Sequence, residues 1–280
     1  MKKLGIIIDS FSQISKEEAN KMGYGFLSLQ SEIDNKVFVD GVDDPIQTLE
    51  ALSVASKYLT SLPRLDLMEQ EIEKFAKNYD DVIVLLINQK LSSSAQYAQT
   101  IAKNYNNVYV VDNSFVGTQF LDVAKISLDL YSKNYSVDEV IDNIHKLDDL
   151  TINYIVPKNL DYIIGGGRLS AAKKFIMTKI QMIPILKYKA EVSVSGLKRS
   201  TKSAIEKVFE KLIKFIGGAE NIDKFSFRWI HGIDQVMNQQ VLEIAKNFNI
   251  TLENEQITAT AVAIHCGPGA ISLSVFPKVN

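Results

Sequence analysis

Three short aliphatic runs, at residues 4–8, 82–87 and 108–111, restrict this chain more than any other feature. They are apolar at successive positions rather than alternate ones, the pattern of strands covered on both faces of a sheet. The first runs into Asp9-Ser10 and the third into Asp112-Asn113-Ser114, so polar residues collect where strands end. Within residues 92–104, between the second and third runs, Ala95, Ala98, Ile101 and Ala102 recur at helical spacing. Strand, helix and strand at this interval make a parallel crossover, so residues 1–150 are predicted to form an α/β domain with a mainly parallel sheet. Further helices are predicted at 45–55, 66–77, 115–132 and 136–147. The last has Ser136 and Glu139 spaced as a capping box.

The rhythm changes after Asp148-Asp149. A strand at 152–156 is stopped by Pro157, and a short helical stretch runs into Gly165-Gly166-Gly167. Strands at 180–187 and 191–196 are expected to pair antiparallel around residues 188–190. An amphipathic helix at 204–215 ends at Gly217-Gly218, followed by a strand (225–231), a helix (236–247) and a strand (250–256). Residues 259–277 set HCGPG between two apolar runs. Residues 151–280 are therefore read as a second, smaller α/β domain with a mixed sheet.

A length of 280 residues accommodates at most two domains, since one core seldom grows past roughly 250 residues. A chain 46% hydrophobic and 23% charged is neither disordered nor collagen-like. The net charge of −2 excludes a strongly basic nucleic-acid binder. That balance hides a division: Lys158 to Lys214 holds thirteen Lys/Arg against four Asp/Glu, and the remainder 18 against 29. A basic surface facing an anionic ligand or acidic partner would follow, and so would two solvated faces of opposite sign. The single cysteine, Cys266, cannot form an internal disulfide, which points to a reducing compartment. Asp9 interrupts the apolar start before a signal-peptide core is reached. The aliphatic run at 82–87 is far short of the roughly 20 residues that a membrane span needs, so a cytoplasmic protein with no integral membrane association is expected.

No Walker loop or dinucleotide-binding glycine fingerprint occurs. His145, His231 and His265 are scattered without ligand spacing, so no metal is expected, and His145 reads as a surface residue of the 136–147 helix. Lys90-Leu91-Ser92-Ser93-Ser94 lies between a buried strand and a helix, at the carboxyl edge of the predicted sheet. Open α/β sheets bind ligands at that edge, and helix N-termini offer N–H groups to a carboxylate or phosphate. One of these serines would cap the helix in any case. Thr60-Ser61-Leu62-Pro63 is a hydroxyl-rich loop that reads alone as a cap. Gly165-Gly166-Gly167-Arg168 places a cation after a loop whose backbone can approach a ligand, although a helix stop explains the glycines equally well. Lys198-Arg199-Ser200-Thr201-Lys202 reads in isolation as a solvated turn before a helix. His265-Cys266-Gly267-Pro268-Gly269 embeds an ionisable ring in a turn that packing alone accounts for poorly, and a functional role is expected there.

In this order, the pieces resemble the DegV family, the fatty-acid-binding subunits of bacterial fatty acid kinase. The resemblance spans essentially the whole chain. It rests on Asp9-Ser10, Asp40, Thr60-Ser61-x-Pro63, Leu91-Ser92, Asp112, Gly166-Gly167-Arg168, Pro184-Ile185-Leu186, Lys198-Arg199 and the HCGPGA ending. It implies a two-domain α/β protein holding one long-chain fatty acid in a tunnel between the domains. It places the carboxylate on the Thr60-Ser61 loop, the Ser92 hydroxyl and the Ser93 amide, with Arg168 and His265 nearby. It implies no cofactor and no catalysis by this chain. A separate ATP-dependent kinase would phosphorylate the carboxylate for phospholipid synthesis, docking at Lys198, Arg199 and Lys202. The chain departs from the family pattern at Ile8, where Thr is usual, at Ser93-Ser94-Ala95, where Gly-Thr-Tyr is usual, and at Ile183, where Lys is usual. The competing reading is an acyl hydrolase or transferase with Ser92 as nucleophile and His265 as base. It lacks a nucleophile-elbow motif and an acid to orient His265. A nucleic-acid role for residues 198–202 lacks the interleaved aromatics of single-strand binders.

Overall fold

The computed structural model describes residues 2–61, 64–158, 160–165 and 182–278. The chain groups into two units, one of Met1–Glu32, Lys36–Asp44 and Thr60–Asp149, the other of Ile33–Asn35, Pro45–Leu59 and Leu150–Asn280.

In the first unit the aliphatic runs become strands Leu4–Asp9, Asp81–Leu85 and Val108–Val111, all parallel, with Gly25–Leu27 added beside Leu4–Asp9. Register sets Ile6 against Ile83 and Ile83 against Tyr109. Every residue of Leu4–Asp9 is buried, as a strand covered on both faces requires. Ile7, Val82 and Val84 pack with Met68, Ile72 and Phe75 of helix Leu65–Asn78 and with Ala98 and Ala102 of helix Ser94–Ala102. Helix Gln119–Ser132 packs against Leu4–Asp9 as well. Because the strands are parallel, their carboxyl ends share one edge, and the segments following residues 9, 85 and 111 all leave from it.

The predicted 115–132 helix begins only at Gln119. The Phe115 N–H donates to Asn113 Oδ1 and the Val116 N–H to Gln119 Oε1, both at 3.0 Å, and these side chains hold the amides outside the helix. The capping box forms as expected: the Ser136 N–H donates to Glu139 Oε2 at 2.8 Å and the Glu139 N–H to Ser136 Oγ at 3.3 Å, at the start of helix Val137–Asp149. A small sheet orders Lys36–Val39, Gln30–Ile33 and Tyr58–Ser61. Asp34 and Asn35 turn the chain there at φ 46° and 66°, a region that these two residue types tolerate.

The second unit is built on a mixed sheet of six strands, in the order Glu191–Lys198, Ile183–Lys189, Ile152–Val156, Ile271–Pro277, Phe225–His231 and Leu252–Ile257. The last pair is parallel and the other pairs are antiparallel. Helices Thr201–Phe215 and Gln235–Asn247 cover one face. They bury Val208, Phe209, Leu212, Val241 and Ile244 against Ile185, Trp229 and Val275. Each such side chain is worth roughly 1.5–3 kcal/mol of transfer from water. On the other face Leu186 meets Ile163 of the short helix Asp161–Gly165. Helix Thr260–Cys266 packs against Asp161–Gly165 and Pro45–Val54, where Thr48 Oγ1 and Thr260 Oγ1 lie 2.5 Å apart. The Tyr162 hydroxyl donates to Leu52 O at 3.1 Å.

Candidate functional site

In the first unit the site is assembled at the carboxyl edge of the parallel sheet. Asp9 ends its strand and is 1% exposed. Its Oδ1 accepts the Phe11 N–H at 3.0 Å, which caps the short 3-10 helix Ser10–Ser12, and its Oδ2 accepts the Ile87 N–H at 2.8 Å. Ser10 Oγ accepts the Leu29 N–H at 2.9 Å. Burial pushes the Asp9 carboxyl up to about 7; the two amides pull it down and the Asp40 charge adds to the rise. Asp9-Ser10 thus secures the edge from beneath.

The segment after Asp81–Leu85 turns tightly. The Leu91 and Ser92 N–H groups both donate to Asn88 O, at 2.9 and 3.1 Å. Ser92 Oγ accepts the Ser94 N–H at 3.2 Å and lies 2.9 Å from Ser94 Oγ. Ser93 occupies the N-cap position without a side-chain cap bond, and Ser92, one residue earlier, is the serine whose side chain takes the first amide of helix Ser94–Ala102. When Ser94 donates to it, the Ser92 proton is free to point toward a ligand. Ser93 is exposed, and its N–H makes no hydrogen bond among the described residues. A hydroxyl and an open amide side by side at the positive end of a helix suit one carboxylate.

Thr60 and Ser61 belong to the first unit, but the loop expected there is a correction. Both residues end strand Tyr58–Ser61, Thr60 half-buried and Ser61 exposed. Leu62 and Pro63 lie outside the described residues, as do Gly166, Gly167 and Arg168. Arg64 pairs with Asp66 at the start of helix Leu65–Asn78.

His265 belongs to the second unit. It is half-buried on the last turn of helix Thr260–Cys266, not in a turn as expected. The GPG residues that follow also have a packing explanation that sequence reasoning missed. Pro268 O accepts the Ile233 N–H at 2.8 Å, and a Cβ on Gly232 would fall 1.9 Å from that oxygen. Gly267 takes φ +95° against the Tyr162 ring. Beside this turn lies a cavity of about 420 Å³ lined by Ser53, Lys158, Tyr162, Asp234, Val236 and Pro268. Asp234 caps helix Gln235–Asn247 through the Met237 N–H at 3.0 Å and pairs with Lys158. Burial would raise its carboxyl, but the Lys158 and Met237 hydrogen bonds outweigh it and hold the pKa low.

Lys198 ends strand Glu191–Lys198, and Arg199 and Lys202 are exposed around Ser200, which accepts the Ser203 N–H at 3.2 Å and caps helix Thr201–Phe215. The structure therefore brings these three cations together at one strand–helix turn. Farther along that helix, burial and the charges of Lys207, Lys214 and Lys187 lower the pKa of Lys211. His231 ends its strand with Nε2 3.2 Å from Glu255, and His145 is exposed. Among the described residues, no group of three or more His, Cys, Asp or Glu side chains is placed to hold a metal ion, and no helix is long and apolar enough to cross a membrane.

Comparison with known proteins fits this architecture. A DegV domain-containing protein of Mycoplasmopsis pulmonis is 27% identical over 288 residues, spanning 98% of this chain and 94% of its own. A fatty acid binding DegV family protein from Streptococcus agalactiae superposes with a TM-score of 0.86 at 20% identity, over 100% of both chains. A stearic acid-binding protein from Eubacterium ventriosum does so with a TM-score of 0.82 at 20% identity, over 99% of each. At that identity the two structures establish the shared fold. The family model described as "Uncharacterised protein, DegV family" matches residues 3–278, from the first strand to beyond the last, and this chain belongs to the DegV family.

Proposed function

We propose that this protein binds one long-chain fatty acid and presents its carboxylate to a separate ATP-dependent kinase, which forms the acyl-phosphate. The observation that carries the reading is the paired Ser92 hydroxyl and open Ser93 amide at a helix start, in a fold shared with proteins described as binding fatty acids. Burying about fourteen methylenes is worth about 11 kcal/mol gross, of which ordering the chain and losing its translational freedom take back a large part. The head group then needs only donors enough to avoid an unpaired buried charge. The resemblance assigns Thr60, Ser61, Arg168 and His265 to that carboxylate as well. In this reading the domain with the helix start, expected over 1–150, lacks residues 33–35 and 45–59, which group with the domain expected over 151–280 that carries the basic surface. Lys198, Arg199 and Lys202 form the kinase-docking face. A cytoplasmic location accords with the lone, buried Cys266.

The hydrolase alternative finds less support. The Ser92 hydroxyl pairs with Ser94, its own neighbour at the helix start, and no nucleophile-elbow motif surrounds it. Lipid extraction and native mass spectrometry of protein purified from cells test the proposal. About one long-chain acid per chain is expected, and Thr60→Ala combined with Ser92→Ala should weaken stearate binding at least tenfold. An empty protein that cleaves esters, and loses that activity on Ser92→Ala, would establish the alternative instead.

A further inference from the structure

Asn88 sits between the sheet and the helix start, is 2% exposed, and is engaged on both sides. Its Nδ2 donates to Asn113 O at 2.7 Å and to Asp112 Oδ1 at 3.0 Å, both just beyond strand Val108–Val111. Its Oδ1 accepts the Lys90 N–H at 2.9 Å, and its main-chain O accepts the Leu91 and Ser92 N–H groups. Asn113 returns the connection, its Nδ2 donating to Leu86 O and Val111 O, each at 3.1 Å. One residue thus links the neighbouring strand's end to every amide from 90 to 92, through its side chain at Lys90 and through its main-chain oxygen at Leu91 and Ser92. With Ser94's amide given to Ser92 Oγ, the Ser93 N–H is, of the amides from 90 to 94, the one left open among the described residues.

We infer that Asn88 is a positioning residue for the carboxylate site. It fixes the 88–92 turn so that the Ser92 hydroxyl and Ser93 N–H point to the same place. The inference rests on the functional reading above. Its physical basis is directional: hydrogen bonds weaken steeply as the donor angle closes, and charge-assisted bonds to a carboxylate depend most on that alignment. Loosening the turn should therefore cost recognition of the charged head group while leaving burial of the chain intact.

The test measures the affinity of the full-length protein for stearate and for methyl stearate in wild type, Asn88→Ala and Ser92→Ala. Asn88→Ala is expected to weaken stearate binding about tenfold and to leave the methyl ester within about twofold. Equal losses for both ligands, or no loss for stearate, overturn the inference. Ser92→Ala tests the underlying reading. An unchanged stearate affinity there, or no stearate binding by wild type, removes the site and the inference with it. A loss in Ser92→Ala with none in Asn88→Ala removes the role of Asn88 alone. A reciprocal swap covers the case in which Asn88→Ala fails to fold. N88D keeps the acceptor for Lys90 but faces Asp112 and Asn113 O without a donor, and should lose stearate selectively. N88D/D112N restores one donor–acceptor pair and should recover part of that loss. No recovery overturns the inference.

Discussion

The Ile87 N–H donates to Asp9 Oδ2 at 2.8 Å across 78 positions of chain, tying the end of the first strand to the loop that leads to Ser92. The carboxylate making that bond is fully buried, and burial raises its pKa from 3.8 to about 7, against the pull of the Ile87 and Phe11 amides. The folded chain therefore keeps the Asp9 proton up to about pH 7, while an unfolded aspartate releases it near 4. Between those values the folded state binds more protons. The contribution of Asp9 to stability is greatest below about pH 4 and is lost as the pH rises through about 7, by at most about 1.4 kcal/mol per pH unit. Urea unfolding of wild type and Asp9→Asn at pH 5 and pH 7.5 reads this out. Asp9→Asn removes an acceptor for one of the two amides and is expected to be the less stable protein at pH 5. The gap should narrow by more than about 1 kcal/mol at the higher pH. A gap independent of pH would show that Asp9 does not titrate in this window.

Gly232 marks the most demanding backbone approach in the second unit. A Cβ there would lie 1.9 Å from Pro268 O, and the Ile233 N–H is bonded to that same oxygen. Gly232→Ala must push the 267–269 turn away and break the bond, so a loss above about 2 kcal/mol is expected in thermal or denaturant unfolding. Gly196→Ala is the control: its Cβ would meet Ile185 at 3.6 Å, an ordinary contact, and the change should stay within about 0.5 kcal/mol. Equal stability of the two variants would contradict the close approach.

Much of this was legible in the residues, for physical reasons. The successive aliphatic positions of Leu4–Asp9, Asp81–Leu85 and Val108–Val111 admit few environments other than a doubly covered parallel sheet, and that sheet places Ser92 at its carboxyl edge. The antiparallel pairing of the strands expected at 180–187 and 191–196 was equally plain, although the first strand runs on through Tyr188 and Lys189 and the turn expected over 188–190 is confined to Ala190, at φ 59°. What escaped was local and decided by tertiary contacts. Helix Thr260–Cys266 is seven residues long and rich in β-branched side chains, and its Thr260 hydroxyl meets Thr48 from 212 positions away. Tyr58 and Thr60 favour strands, but a run of four residues ending in Ser61 before Leu62-Pro63 is too short to be told from a hydroxyl-rich loop. The network at Asn88 gave no sign in advance, because an asparagine after a strand is compatible with any turn.

Cys266 is buried, donates to Val262 O at 3.3 Å, and has its thiol pushed up to about 12 by desolvation. Only the thiolate reacts readily, so the native protein at pH 8 should resist iodoacetamide and label fully once unfolded in urea. The expected contrast exceeds a hundredfold in rate. Rapid labelling of the native protein would mean that the Thr260–Cys266 helix opens far more often than its packing implies.

The basic turn makes the most informative prediction, because fold and function pull there in opposite directions. Lys202 lies in the first turn of helix Thr201–Phe215, with Arg199 just before the Ser200 cap, and no acidic residue occupies that turn. Cations at a helix N-terminus oppose the macrodipole by about 0.3–1 kcal/mol, so helix stability does not explain them. An anionic docking partner would. Lys198→Glu with Arg199→Glu is therefore expected to leave stability equal or slightly higher and stearate affinity within twofold. Acyl-phosphate formation by the proposed kinase should fall at least tenfold. In wild type that rate should drop as ionic strength rises, as expected for steering between opposite charges, and the salt dependence should flatten in the variant. Phosphorylation that is insensitive to both the charge reversal and the salt would reduce these cations to a solvated turn.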